Sequence, residues 1–174
     1  FSDPTTFTIW RIELTEACLS TPSLCRRELV AGQSGVNGYV DHATGTSAEL
    51  GPVDSMASDG TTLWFFDGHL TIRAMEISPP HAVRTVAGDP NPPPDHCDLV
   101  DGVGSAVRFH GTRALTYFRG DVYFLDPCFA VLRRLDPATD SVLTIAGAPN
   151  SPNTPAPPAC PVPGPPYTFT CNEQ

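Results

Sequence analysis

Leu143-Thr144-Ile145-Ala146-Gly147 runs an apolar stretch into Ala-Gly, and the chain uses the same phrase twice before, at Arg84-Thr85-Val86-Ala87-Gly88 and at Arg27-Glu28-Leu29-Val30-Ala31-Gly32. The closing glycines, Gly32, Gly88 and Gly147, stand 56 and 59 residues apart. A fixed period of this size marks a repeat architecture, in which each unit buries its faces against its neighbours. Ahead of Gly88 lie Val53 to Ala57, Leu63-Trp64-Phe65-Phe66-Asp67, Leu70-Thr71-Ile72-Arg73 and Val83 onward. Ahead of Gly147 the same order returns as Arg113 to Phe118, Val122-Tyr123-Phe124-Leu125-Asp126, Ala130 to Arg134 and Val142 onward. These are short β-branched and aromatic runs, separated by turn signals at Asp59-Gly60, Asp67-Gly68 and Arg119-Gly120-Asp121. The pattern predicts four antiparallel strands per period, and no window carries a sustained helical stripe.

Upstream of Gly32 only two strands are expected, Phe7 to Ile12 and Arg27 to Gly32, with Arg11 in the position of Arg73 and Arg133. Downstream of Gly147 the stretch Pro149 to Pro166 is too proline-rich to donate regular ladder hydrogen bonds and favours an extended polyproline conformation. Two full periods before that tail are too few to close a ring.

Composition narrows the function classes. The 174 residues hold 19 acidic against 10 basic side chains, a net charge of −9, and 20 prolines. A nucleic-acid reader needs a basic stripe to neutralise phosphates, and an acidic chain is repelled by anionic lipid headgroups. Neither nucleic acid nor membrane insertion is therefore expected. No apolar run approaches membrane-spanning length. Phe1 reads as the start of a processed or excised piece, and no Asn-x-Ser/Thr acceptor occurs.

Cys18, Cys25, Cys97, Cys128, Cys160 and Cys171 form an even set without a Cys-x-x-Cys pair, which favours three disulfides in an oxidising compartment over a zinc site. Locality suggests Cys18–Cys25 across a hairpin loop and Cys160–Cys171 in the tail, leaving Cys97 and Cys128, although fifteen connectivities are formally open.

The third unit resembles an NHL repeat from end to end: Asp101-Gly102-Val103-Gly104-Ser105-Ala106-Val107-Arg108-Phe109, Asp121 to Asp126, Leu132-Arg133-Arg134-Leu135-Asp136-Pro137 and Thr144 to Gly147. The second unit is a weaker match, with Asp41 to Leu50 replacing the glycine loop. The resemblance implies an all-β fold of four-stranded antiparallel blades from an incomplete, open β-propeller. It divides residues 1–147 into a half-blade (5–32) and two blades (33–88 and 89–147), followed by a cysteine-containing tail (148–174). At about 57 residues per blade, a six-bladed ring would need roughly 340 residues. The chain departs from the family at Asp126-Pro127-Cys128, where a polar residue usually follows the Asp. The family's functions range over scaffolds, RNA binding and a metal-dependent lyase, so fold alone does not choose among them.

Individual residues point away from catalysis. His42, His69, His81, His96 and His110 show no ligand spacing, and a lyase needs several histidines converging in a channel. Asp95, Asp98 and Asp101 recur every third residue, as calcium ligands would, but no downstream Glu completes the loop, and a solvated loop is the simpler account. Ser105 lies in no Gly-x-Ser-x-Gly elbow, and its glycine run opens no helix for phosphate. Arg73 and Arg133 are expected to pair with Asp67 and Asp126 at the preceding strand ends, and Trp64, Phe65 and Phe66 to pack between sheets. Pro152, Pro155, Pro157, Pro158, Pro161, Pro163, Pro165 and Pro166 sit among Ser and Thr as in extracellular stretches whose prolines are hydroxylated and O-glycosylated, or as in an ordinary linker. The expectation is a non-enzymatic structural subunit of an extracellular or cell-surface assembly, without cofactor or metal. Its partners would be other copies of itself or other chains, in a head-to-tail filament or ring. The alternative is a fragment of a closed propeller that binds a protein or glycan.

Overall fold

The computed structural model describes residues 1–68, 70–91, 99–109, 112–127 and 129–147. It is all-β, built from antiparallel sheets that close into no barrel or ring among the described residues. The first sheet has the order β1 (Ser2–Asp3), β2 (Thr8–Ile12), β3 (Arg27–Ala31). The second has four strands in chain order, β4 (Val53–Ser58), β5 (Thr62–Asp67), β6 (Thr71–Glu76) and β7 (Val83–Gly88). The third repeats that order with β9 (Arg113–Phe118), β10 (Asp121–Asp126), β11 (Val131–Asp136) and β12 (Ser141–Ala146), and adds β8 (Gly102–Val103) outside β12. Two expectations are corrected here. The first sheet has three strands rather than two and reaches back to Ser2, and the third has five rather than four. β1 and β8 are two residues long, too short for alternation to register.

The β2–β3 connection carries a single helical turn, α1 (Glu16–Ser20), capped by Thr15, whose Oγ1 accepts from the Cys18 N–H at 3.1 Å. This turn buries Cys18 and brings it to Cys25, and the expected Cys18–Cys25 disulfide is formed. Cys97, Cys128, Cys160 and Cys171 lie outside the described residues, as do the tail prolines, His69, His96, His110, Asp95 and Asp98.

The Ala-Gly phrase has one structural cause in all three sheets. Gly32, Gly88 and Gly147 have φ of +86°, +97° and +94°. A Cβ on each would fall 2.1, 2.3 and 2.4 Å from the backbone oxygens of Phe7, Leu70 and Ala130, so only glycine closes the strand against its neighbour. A register shift follows one residue later in every sheet, between Ile9 and Trp10, Ile72 and Arg73, and Leu132 and Arg133.

Pleating sends consecutive side chains to opposite faces, and the second sheet packs on both sides. Phe65, Met75 and Val83 on one face of the second sheet bury Ile9, Val30 and Ala31 of the first, with Leu50 and Val53. Trp64, Phe66, Ile72, Val86 and Ala87 on its other face pack against Leu115, Val122, Phe124, Leu135 and Val142 of the third. The Trp64-Phe65-Phe66 run therefore serves two interfaces at once. β4 and β9 lie side by side, and the Leu115 N–H donates to Ser55 Oγ at 2.8 Å.

Gly60 has φ +93° with nothing within 4 Å of its added Cβ, whereas a Cβ at Gly88 also meets Phe109 at 2.8 Å. Gly60→Ala should cost about 1–2 kcal/mol for handedness alone. Gly88→Ala should cost a further ~1–3 kcal/mol of overpacking, read as a correspondingly larger drop in thermal midpoint.

Candidate functional site

Two buried arginines organise the described chain. Arg73 on β6 and Arg133 on β11 are fully buried, and their Nη donors are paired while each Nε–H is buried without a partner. Arg73 donates through Nη2 to Asp41 Oδ1 at 2.8 Å and the Val40 carbonyl at 2.9 Å, and through Nη1 to the Glu49 carbonyl at 2.7 Å and Asp67 Oδ2 at 3.1 Å. Arg133 repeats this with Asp101 at 2.8 Å and the carbonyls of Val100 and Arg108, each at 2.7 Å. Each aspartate also receives a threonine of the outer strand. Asp41 accepts from Thr85 N at 2.7 Å and Oγ1 at 3.0 Å, and Asp101 accepts from Thr144 N and Oγ1 at the same distances. Aromatic rings complete the seats, Tyr39 at 5.2 Å from Arg73 and Phe109 at 5.1 Å from Arg133.

The expected pairing of Arg73 with Asp67 is present, and Asp67 also accepts the Gly51 N–H at 3.0 Å. Arg133 makes an ion pair with Asp101, and Asp126 adds a favourable negative charge beside it. Arg11 is not the counterpart of these residues. The Ile72–Ala87 and Leu132–Ala146 pairs correspond to Ile9–Ala31, so Trp10 holds the arginine position, and Arg11 forms an exposed ion pair with Glu28 at 2.5 Å. Burial opposes ionisation of Asp101, but hydrogen bonds from Thr144 and Arg133 outweigh it and hold its carboxyl below the usual range. Asp101 is thereby committed to the fold rather than to a cation loop.

His42 accepts the Thr44 N–H on Nδ1 at 2.9 Å, and His81 is buried with Nδ1 3.1 Å from the Glu76 carbonyl oxygen. Among the described residues no three His, Cys, Asp or Glu side chains are grouped as a metal site would need. No helix among them is long and apolar enough to cross a membrane.

The feature that sets one surface apart is where the repeat stops being covered. Val30-Ala31 and Val86-Ala87 are 3% and 0%, and 1% and 0%, exposed, each sealed by the following sheet. The matching Ile145 is 45% exposed, beside Leu143 at 46% and Leu125 at 48%, with Ala146 also open. Tyr123, Arg134 and Leu143 form one cross-strand row of this face, and Leu125, Leu132 and Ala146 the next. The alternation of the strands was readable from sequence, and an open set of units was expected to leave apolar faces exposed at both ends.

No protein-family model and no curated protein matches this sequence. Among solved structures, an auxiliary nutrient binding protein from Bacteroides thetaiotaomicron VPI-5482 is similar over 84% of the chain, with a TM-score of 0.54 at 19% identity. A second, an auxiliary nutrient binding protein from Bacteroides ovatus ATCC 8483, is similar over 82%, with a TM-score of 0.51 at 20% identity. The likeness is one of fold. The chain spans about a third of the length of each, 32% and 33%.

Removing one partner of a buried ion pair strands the other, at a cost of about 3–5 kcal/mol, against less than about 1 kcal/mol for an exposed pair. Chemical denaturation should therefore show Arg73→Met far more destabilising than Arg11→Met. A carboxyl whose folded pKa is depressed adds stability that is present above its unfolded pKa and lost as pH falls through the folded value. Asp101→Asn should lower stability at neutral pH and flatten the acid limb below about pH 4, measured as denaturation midpoint against pH.

Proposed function

We propose that the three sheets are blades of an open NHL-type β-propeller and that the chain is a non-enzymatic structural subunit, joined head-to-tail to a second copy of itself. The open Ile145-Ala146 face carries this reading, because the same dipeptide position is sealed by a following sheet in both earlier units. A second copy can supply that cover with its first sheet, where Trp10 is half-buried, Ile12 is 38% exposed and Arg27 lies 5.3 Å over the indole. The two faces differ, so the contact is heterologous and builds a ring or a filament. The Cys18–Cys25 disulfide supports an extracellular or cell-surface setting, where the tail prolines would be accessible to O-glycosylation.

A second reading is favoured by the solved structures, which are about three times as long as the stretch they share with this chain. In a longer polypeptide the next blade would come from the same chain, and a closed propeller would bind a protein or glycan.

Sedimentation velocity over a wide concentration range tests the assembly. The wild type should shift to larger species with concentration, and Leu143→Asp, which puts a charge on the open face, should sediment as a monomer with an unchanged thermal midpoint. A wild-type monomer at every concentration, stable on heating, would sink the self-assembly reading and leave the longer-polypeptide one.

A further inference from the structure

We propose that the disulfide-closed connection between β2 and β3 is the clasp by which a second copy of this chain seats on the open face of the third sheet. It rests on the head-to-tail reading and names the surface that makes that contact. The template is a junction the chain already contains. Arg84 on β7 reaches out of the second sheet and is held by both oxygens of Asp140, at 2.8 and 3.1 Å. Asp140 immediately precedes β12, so the third sheet grips the second through the turn ahead of its outer strand. Leu143 stands in the place of Arg84 on the third sheet. Arg84 pairs with Ala74, one residue beyond Arg73, and Leu143 pairs with Arg134, one residue beyond Arg133. Leu143 is 46% exposed, with Leu125 and Ile145 open beside it.

In the first sheet the β2–β3 connection takes the place of the β11–β12 turn. The pairs Ile12–Arg27 and Leu135–Val142 are equivalent, which puts Cys25 at the position of Asp140 and Leu24 just before it. Residues 13–26 expand that turn into an excursion made of α1 and a short 3-10 turn, Pro22–Leu24. Leu14, Leu19 and Leu24 on it are 69%, 68% and 58% exposed, the three most exposed leucines among the described residues. Large apolar side chains gathered on one surface element mark a contact site rather than a solvated loop. Cys18 is the one side chain the excursion buries, and it is bonded to Cys25. The disulfide and the Thr15 cap, rather than packing on a core, therefore hold the leucines in a fixed arrangement before any partner arrives. Where the internal junction joins a cation to an anion, both ends of the chain are apolar: Leu143 replaces Arg84, and leucines replace Asp140. The change is matched on the two sides, which selects another copy of this chain as the occupant. It also keeps the clasp off the internal junction, where it would meet the guanidinium of Arg84.

The test uses full chains altered at one end only. Leu19→Asp combined with Leu24→Asp damages the clasp and leaves the open face intact, whereas Leu143→Asp damages the face and leaves the clasp. All three positions are exposed, so each variant should keep the wild-type thermal midpoint. Leu14→Asp alone takes the place of the double variant if that does not fold. In sedimentation velocity each variant by itself should be monomeric where the wild type assembles, with association at least about tenfold weaker. Mixed in equal amounts, the clasp variant and the face variant should form a one-to-one dimer and nothing larger, because one intact clasp meets one intact face. A clasp variant that assembles like the wild type overturns the inference and leaves the head-to-tail reading standing. A mixture that stays monomeric also overturns it, and a wild type that is monomeric at every concentration removes both.

Discussion

The described chain depends on placing a guanidinium where no water reaches it. Arg73 and Arg133 each tie a middle strand to a loop that begins more than thirty residues upstream, and through the shared aspartate to the outer strand of the same sheet. The loops that supply Asp41 and Asp101 lie on the inner faces of their sheets, between one unit and the one before. A single side chain therefore fixes the path of a loop, the position of a sheet edge and the spacing between units. The geometry suits arginine rather than lysine, since a planar fork can reach two carbonyls and a carboxylate together. With several kcal/mol of desolvation to offset, the arrangement is held only while every partner is present.

Around that constraint the apolar packing is directional. The inner face of the second sheet covers the first, and its outer face is covered by the third. Val30-Ala31 and Val86-Ala87 are outer-face residues that found their cover, and hydrophobic burial at that position stabilises the junction. The Cys18–Cys25 link closes the β2–β3 connection, in the sheet where Trp10 stands in place of a buried arginine.

Much of this was legible from residues alone. Turn dipeptides and period-two alternation located the strands, β9 with the bounds Arg113 to Phe118, and the recurring glycine encoded a positive φ that the backbone demands. Arg73 pairs with the strand-end Asp67 as expected, and both arginines add a long-range aspartate, Asp41 or Asp101, that strand-end proximity does not point to. Asp41 and Asp101 nevertheless both precede their arginines by 32 residues, a periodic signal that could have revealed them. Arg11 was misaligned by one residue because it is the arginine of its strand, whereas the pairing frame puts Trp10, opposite Leu29, where Arg73 stands opposite Thr85.

The open face of the third sheet also differs in chemistry from the faces already covered, and the difference bears on what can seat there. Where the second sheet has Ala74 beneath a neighbour, the third has Arg134, 3.7 Å from Asp121 in a partly exposed pair. A cover identical to the inner face of the third sheet would press apolar side chains onto that guanidinium and desolvate it without compensation. The inner face of the first sheet is different, since Trp10 stands there in place of a buried arginine. An indole accepts a cation over its ring, as it already does with Arg27. In the head-to-tail assembly proposed above, the replacement that makes the first sheet an imperfect copy of the others would set an indole, rather than a buried arginine, against Arg134.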